Sequence, residues 1–448
     1  MLTRALPHAK NAAEFTAPTM NGERSSGRRL DSLLWASVLF NLALCFVDTN
    51  FATLGPLPVM GVEALILGAA LLVPLARGGR IPGRMDFLLL LLFANFLLLS
   101  ILRQSIDPKL FRDVAIIPIF VLLGMASTGA AFHRRFFWLL ILILAFAIWE
   151  AISVESFVSV FSVSDYFAHT RGTFTQDWTV DTGLYLSSVR PETRFLFANL
   201  PIHRLSSVFL EPVSLGNYVI IATIWLAGFW REISRPMKVA ATFAILLLLI
   251  GSDSRMASLT CVAILIAAAA RKWLPSVAPV LMAPIVIAAM FLTVHIFGLR
   301  AGNDDFPGRI AYAVEVFRDS GLDDLAGISL DQMATVQDAG FAYIIISQSL
   351  IVALIIWGSL FLKPMATPKS RFIHLAVALY LALNLTVSWS LFSIKTAALL
   401  WFLLGRAIRD DQDERRDAVT DPPAPEAIGV SRPRPFAGQP APSFKMSR

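Results

Sequence analysis

The chain has 448 residues, of which 56% are hydrophobic and only 16% are charged. Soluble proteins carry charge on about a quarter of their residues, so this composition excludes an ordinary soluble enzyme and indicates a polytopic membrane protein. The net charge of +6 does not indicate nucleic-acid binding, because the basic residues cluster beside the ends of apolar runs, where they set orientation.

About twelve apolar runs are long enough to predict transmembrane helices. A bilayer offers the backbone no hydrogen-bond partners, and the runs do not alternate as barrel strands do, so the predicted fold class is all-α. The predicted spans are 33–53, 56–76, 85–102, 113–131, 136–155, 212–230, 239–252, 256–270, 275–298, 339–362, 372–388 and 391–408.

The orientation of the chain is predicted from its Lys and Arg residues, which concentrate in alternate connections. This pattern places both termini in the cytoplasm. Disordered tails are expected at 1–31 and 409–448, flanking a transmembrane domain at 32–408. Two long segments, at about 156–211 and 299–338, are expected on the opposite, outer side of the membrane. One outer loop, 103–112, breaks the charge rule, either as tolerated variation or through contacts to lipid phosphate.

The two long segments carry their own local patterns. Residues 170–175 and 185–189 form strand-like and turn-like patches, which is typical of a segment with structure of its own. In the second segment Ile310, Ala313, Val314 and Phe317 recur at helical spacing, so a helix suited to the membrane interface is expected there.

A motif rich in polar residues ends the first long segment directly before an apolar helix. Arg204 is suited to binding an anionic leaving group, because its planar guanidinium matches phosphate oxygens. Glu211 either handles a proton or orients Arg204, and a purely structural pair between them is the alternative. His203 is a general base or a surface residue.

Other polar groups recur on the same predicted side. Asp253 and Arg255 lie in a turn at membrane depth, where ionisable groups are costly unless paired or hydrated. Asp338 is either a helix cap or a ligand for a sugar hydroxyl. An arginine series completes the set, within which Arg300 and Arg309 are favoured for binding: Arg190, Arg194, Arg300, Arg309 and Arg318.

An arginine followed by Ser-x-Phe-x-Glu-Pro at the end of an outer loop resembles the Wzy-type polysaccharide polymerases, which are relatives of the O-antigen ligases. The similarity covers about 200–362. The chain departs from the pattern at Phe341, where a tyrosine is common, and it lacks a histidine near Asp338, which favours polymerase over ligase. The matching features, in order, are the outer turn Ser254-Arg255, then Arg309, Gly327 and the helix entry Asp338-Ala339-Gly340-Phe341.

The resemblance implies a location in a bacterial inner membrane, with the two long outer segments in the periplasm. It also implies inverting, metal-independent glycosyl transfer with no cofactor. The donor is a polyprenyl-pyrophosphate-linked oligosaccharide, and a hydroxyl of a second lipid-linked unit attacks it. The implied partners are that glycan and the bilayer, and a chain-length co-polymerase is left open. The expected catalytic residues are Arg204, Glu211, Arg255 and Arg309, and the expected substrate-binding residues are Arg300, Asp338, His203 and Asp253.

Three alternatives remain at this point. A ligase would move finished glycan to another acceptor. A transporter or flippase would need charges along an intramembrane path, for which few candidates exist: Asp48, Glu63, Glu150 and His295. A structural membrane protein without catalysis is the third.

Overall fold

A computed structural model describes residues 20–76, 83–127, 131–172, 182–189, 194–197, 199–200, 202–302, 306–329 and 336–420. The secondary structure of these residues is helical, which confirms the predicted all-α class. In chain order the helices are α1 Met20–Asn50, α2 Pro56–Ala76, α3 Gly83–Leu102, α4 Pro108–Met125, α5 Ala131–Ile152, α6 Val154–Val160, α7 Val163–Arg171, α8 Pro212–Gly228, α9 Arg235–Ser252, α10 Arg255–Ala269, α11 Ala278–Phe297, α12 Phe306–Asp319, α13 Leu322–Leu325, α14 Gly340–Gln348, α15 Leu350–Phe361, α16 Pro368–Asn384 and α17 Ile394–Thr420.

Six helices in the described part of the chain are long and apolar enough to cross a membrane: α1 from Ser32, α2, α3, α5 from Phe132, α9 and α11. A seventh crossing results if α14 and α15, which are bent by 112° at their junction, count as one span. The remaining predicted spans fall on α4, α8, α10, α16 and α17, which are shorter or carry more charge. Several apolar helices thus support a membrane protein, while twelve spans and the periplasmic side stay predictions.

Helix α4 lies in the centre of the bundle, where every residue from Asp113 to Met125 is buried. It packs along α17 with the two backbones in direct contact. A Cβ on Gly124 would overlap the carbonyl oxygen of Phe402, and a Cβ on Gly405 would overlap that of Val121. Small residues permit this approach, and close backbone packing is a main source of helix association in an apolar bundle.

The bundle has two ends with different chemistry. The basic end holds the turns 229–234, 270–277 and 362–367. There, Lys369 lies 2.8 Å from the carboxylates of both Glu232 and Asp410, which ties α16 and α17 to the turn after α8. The opposite end, called the loop end below, holds the long segment between α5 and α8. Polar side chains that connect distant loops concentrate at this loop end.

Helix extends into both segments predicted to be disordered tails. It replaces the expected disorder over 20–31, the start of α1, and over 409–420, the end of α17. The polar end of α17 is stabilised by ion pairs one turn apart, such as Arg409 to Asp413 at 2.7 Å. The rest of both predicted tails, 1–19 and 421–448, lies outside the described residues.

The long segments contain short helices at the patches that the sequence marks as strand-like or turn-like. Residues 185–189 include a 3₁₀ turn and no strand, so the turn-like interpretation holds there. Residues 170–171 end α7, while 173–175 lie outside the described residues, as does Arg190. The helix predicted around Ile310 is confirmed as α12, whose buried face is built on small and branched residues.

The three basic residues of the loop 103–112 are used within the protein. Arg103 donates to the carbonyls of Ile346 at 3.0 Å and Ser347 at 2.9 Å, at the end of α14 just before the bend. Arg112 pairs with Glu63 and Asp113, and Lys109 lies 4.5 Å from the ring centroid of Trp389. Their presence at this end therefore has a structural reason, since helix C-terminal carbonyls and buried carboxylates require donors.

Candidate active site

A cavity of about 260 Å³ lies at the loop end, between α8, α10, α12 and the end of α16. It collects side chains that are distant along the chain. Its charged or titratable lining residues, among those the structure describes, are Arg194, Arg204, Arg255, Arg309, Asp253 and His203. Five residues that the sequence marks as functional thus share one cavity, and Arg194 joins them.

Arg204 is positioned by the turn that follows α9. The backbone N–H of Leu205 donates to the carbonyl of Gly251 at 2.9 Å, and Nε of Arg204 donates to the carbonyl of Ser252 at 3.2 Å. Gly251 packs closely against Leu205, since a Cβ on Gly251 would lie 2.7 Å from Cδ1 of that leucine. A second donation, from Nη1 to the carbonyl of Ser187 at 3.2 Å, joins the guanidinium to the wall of the cavity.

Asp253 holds a neighbouring loop in place. It ends α9 in the left-handed conformation, with φ of 48°. Its two carboxylate oxygens accept the backbone N–H groups of Phe195 at 2.9 Å and Leu196 at 2.7 Å. Because both oxygens have protein donors, Asp253 shapes the loop that carries Arg194 more directly than it offers a free carboxylate to a sugar.

Arg194 is the cavity residue that the sequence reasoning passed over. Its side chain is only 8% exposed, and it donates to the carbonyls of Ile202 at 2.8 Å and His203 at 2.9 Å. Nε of Arg194 is buried without a hydrogen-bond partner in the described part of the chain, and so is Oγ of Ser187, which also lines the cavity. Buried polar atoms are seldom left unsatisfied, so these two residues add polar groups to the cavity wall that the described part of the chain does not satisfy.

Arg255 and Arg309 each lie near the start of a helix. Arg255 is the first residue of α10, beside the cap formed by Ser254, and its guanidinium lies 5.7 Å from the ring centroid of Phe195. Arg309, in the first turn of α12, lies 3.4 Å from the carboxylate of Asp338. Asp338 therefore contributes through its arginine partner, although it does not itself line the cavity.

The small residue of the Asp338-Ala339-Gly340 sequence has a packing role. A Cβ on Gly340 would overlap the carbonyl oxygen of Ser388, and the N–H of Phe341 donates to the carbonyl of Leu385 at 2.9 Å. Ser388 lines the cavity. The start of α14 thus supports the cavity wall from behind, which explains why glycine is required at this helix entry.

The electrostatics of the cavity favour an anion. Four arginines and one aspartate line it in the described part of the chain, a net charge of +3 with His203 neutral. Lining residues also come from the starts of α8, α10 and α12, and helix N-termini carry partial positive charge. Arg255 places a positive charge at the positive end of α10, which is electrostatically unfavourable. A bound anion would offset this repulsion.

Glu211 lies outside this cavity and has other partners than Arg204. Its carboxylate pairs with Arg171, with Lys395 at 2.5 Å and with the hydroxyl of Ser214 at 2.9 Å. Burial raises the pKa of Glu211, but Arg171 and Lys395 outweigh it and lower the pKa to about 2. A carboxylate with that pKa is a weak base near neutral pH, so the expected role in proton transfer is not favoured.

Arg300 is not brought to the cavity either. It lines a separate depression between α11 and α12, together with Arg318 and Glu315. Sequence position alone does not distinguish it from Arg309, because both lie in one segment between two helices. Within α12, helical position does separate two arginines: Arg309 lines the cavity, whereas Arg318 lines the depression that Arg300 also lines.

Comparison of the chain with family models, with curated proteins and with solved structures finds no match. The fold and the site define a helical protein with several apolar helices suited to a membrane and a cationic cavity at one end of its bundle. No group of three or more His, Cys, Asp or Glu residues suited to a metal ion occurs among the described residues. The resemblance to polysaccharide polymerases rests on its motif residues and their order.

Proposed function

We propose that this protein is a membrane glycosyltransferase that polymerises polyprenyl-diphosphate-linked oligosaccharide units into an exopolysaccharide or O-antigen. The observation that carries the proposal is the cavity that gathers Arg194, Arg204, Arg255 and Arg309. Three of these arginines stand in the order of the polymerase motifs, and the fourth adds a buried Nε without a partner among the described residues.

The proposed reaction explains why the cavity carries positive charge. The hydroxyl oxygen of an acceptor unit forms a bond to the anomeric carbon of the donor, and the bond from that carbon to the diphosphate oxygen breaks. The electron pair leaves with the diphosphate, so negative charge grows on the leaving group. Arginines fixed by backbone carbonyls, as Arg194 and Arg204 are, stabilise that charge without having to reorganise. Attack from the opposite face inverts the configuration.

The proposed orientation puts the cavity on the periplasmic face of the inner membrane. Its support is the distribution of basic residues in turns at the other end of the bundle, where Lys and Arg mark the cytoplasmic side. Those turns contain Arg231, Arg271, Lys272 and Lys363. The polyprenyl chain of the donor then lies along the apolar helices, with its diphosphate at the level of the cavity.

The test uses the protein in lipid vesicles with lipid-linked repeat units extracted from cells that lack it. The wild type should convert single units into a ladder of longer glycans. Arg204→Ala and Arg255→Ala should each reduce the rate by about 10²-fold or more, as loss of a preorganised charge-stabilising group does. Arg318→Ala is a matched control, because this arginine lies on α12 but faces the separate depression.

Three results would contradict the proposal. Ladders of normal length from both Arg204→Ala and Arg255→Ala would show that these arginines do not act in the reaction. Transfer of a finished polymer to a different acceptor, without growth of single units, would identify a ligase. Movement of labelled glycan across the vesicle membrane without a new glycosidic bond would identify a flippase.

A further inference from the structure

Glu150 is a buried carboxylate that organises the wall of the cavity from behind. It is 0% exposed near the end of α5, and both of its oxygens accept the backbone N–H of Ser206 at 3.0 Å. One oxygen also accepts the N–H of Ser207 at 2.6 Å, and the other lies 3.0 Å from Nε2 of His203. Since backbone N–H groups can only donate, the carboxylate acts as an acceptor in these contacts.

This arrangement sets the state of the His203 ring. With an accepting carboxylate beside it, Nε2 carries a proton, which leaves a lone pair on Nδ1. Nδ1 has no hydrogen-bond partner in the described part of the chain. His203 is one of the residues that line the cavity, and its side chain is 12% exposed. The carbonyl of the same residue accepts from Arg194 at 2.9 Å, which fixes the backbone beside the cationic wall.

The other acidic groups near the cavity are already engaged. Asp253 accepts two backbone N–H groups, Asp338 pairs with Arg309, and Glu211 is held by Arg171 and Lys395 away from the cavity. Each of these carboxylates would have to give up a protein partner to take a proton from a sugar. Among the described residues His203 is the titratable lining group whose second proton-accepting atom has no such partner.

We infer that His203 is the proton acceptor of the reaction, with Glu150 as the residue that positions it. The inference rests on the proposed function. As the acceptor oxygen bonds to the anomeric carbon, its proton passes to Nδ1, and the imidazolium that forms is stabilised by the ionised Glu150. The electron pair of the broken bond leaves with the diphosphate, so charge and atoms balance without a further reactant. A proton acceptor of this kind contributes about 10²–10⁴-fold to a rate.

The competing explanation is that Glu150 and His203 only fasten the segment 203–207. The experiment separates these roles by measuring kcat, donor KM and rescue in the vesicle assay. His203→Ala should lower kcat by about 10²-fold or more and change donor KM by less than about threefold. Added imidazole should raise the kcat of this variant by about tenfold. Glu150→Gln should lower kcat by about tenfold or more with donor KM again preserved.

The control is His169→Ala. This histidine also lies at the loop end beside a carboxylate, with Nδ1 3.0 Å from Asp48, but it does not line the cavity. Its substitution should leave kcat within about twofold of the wild type, whereas that of His203 should not. An active His169 variant beside an inactive, imidazole-responsive His203 variant supports the inference.

Two results overturn the inference while the proposed function stands. One is a His203→Ala variant with wild-type kcat when Arg204→Ala is inactive. The other is a His203→Ala variant that loses donor binding and gains nothing from imidazole, which marks a structural role. A wild-type protein that forms no glycosidic bond would instead remove the proposed function, and the inference with it.

Discussion

Glu211→Gln tests whether this carboxylate holds the fold or moves a proton. The substitution removes the charge that balances Lys395, whose side chain is only 1% exposed and whose Nζ lies 2.5 Å from the carboxylate. The ammonium keeps a contact of 2.9 Å to the carbonyl of Phe209, which cannot neutralise it. Removing one partner of a buried ion pair costs about 3–5 kcal/mol, or roughly two to four powers of ten in the folding equilibrium constant.

The assay is unfolding of the purified protein in detergent, measured for Glu211→Gln, for Lys395→Met and for the double variant. The double variant should regain part of the lost stability, because it removes the buried charge of Lys395 together with that of Glu211. Arg171, whose side chain is 45% exposed, lacks its carboxylate partner in both Glu211 variants. Polymerisation should return with stability. The reasoning is refuted if Glu211→Gln unfolds like the wild type, or if the double variant is stable and inactive, since the carboxylate would then act in the reaction.

Three further predictions concern the fold. Gly405→Val should lower stability by about 1–3 kcal/mol because its side chain would overlap the backbone of α4, whereas Gly68→Val, with open space around it, should shift the unfolding midpoint much less. Arg103→Met should cost about 1–3 kcal/mol and speed hydrogen exchange near the bend between α14 and α15, because the carbonyls it binds lose their donor. The hydrogen bond from His133, helped by Lys369, holds the pKa of Glu232 at about 2, below its ordinary 4.5; its contribution to stability is therefore complete above about pH 4.5 and is lost as the pH falls towards 2, and Glu232→Gln should flatten this dependence in acid unfolding curves.

The cavity could be anticipated from the sequence to the extent that its residues lie at helix ends. Arg204, Arg255 and Arg309 each stand beside an apolar run, so alternation of the runs puts all three at one end of the bundle. The sequence does not distinguish Arg194 from the other loop arginines, because what sets it apart is its burial under the turn after α9. Long-range contacts such as these leave no local pattern in the sequence.

Two carboxylates, Glu211 and Glu150, also have contacts that the sequence does not reveal. Glu211 stands seven residues after Arg204, and closeness along the chain suggested a pair, but its partner Lys395 comes from the start of α17. Glu150 looked like an isolated charge within an apolar run, whereas in the structure it collects two backbone N–H groups and a histidine from the segment before α8. The all-α class and the helical periodicity were predictable, because they are local properties of the sequence. The side-chain partners of these carboxylates were not predictable, because they come from distant parts of the chain.

The enclosure of α4 by α17 has a consequence for how the protein is made. Helix α4 leaves the ribosome long before α17, yet its buried face and the Gly124 contact are completed only when α17 arrives. Until then the charged first turns of α4, with Arg112 and Asp113, make it a poor candidate for stable insertion on its own. The arrival of α17 therefore both covers the buried face of α4 and delivers Lys395, and we expect a chain truncated before α17 to leave that face of α4 uncovered.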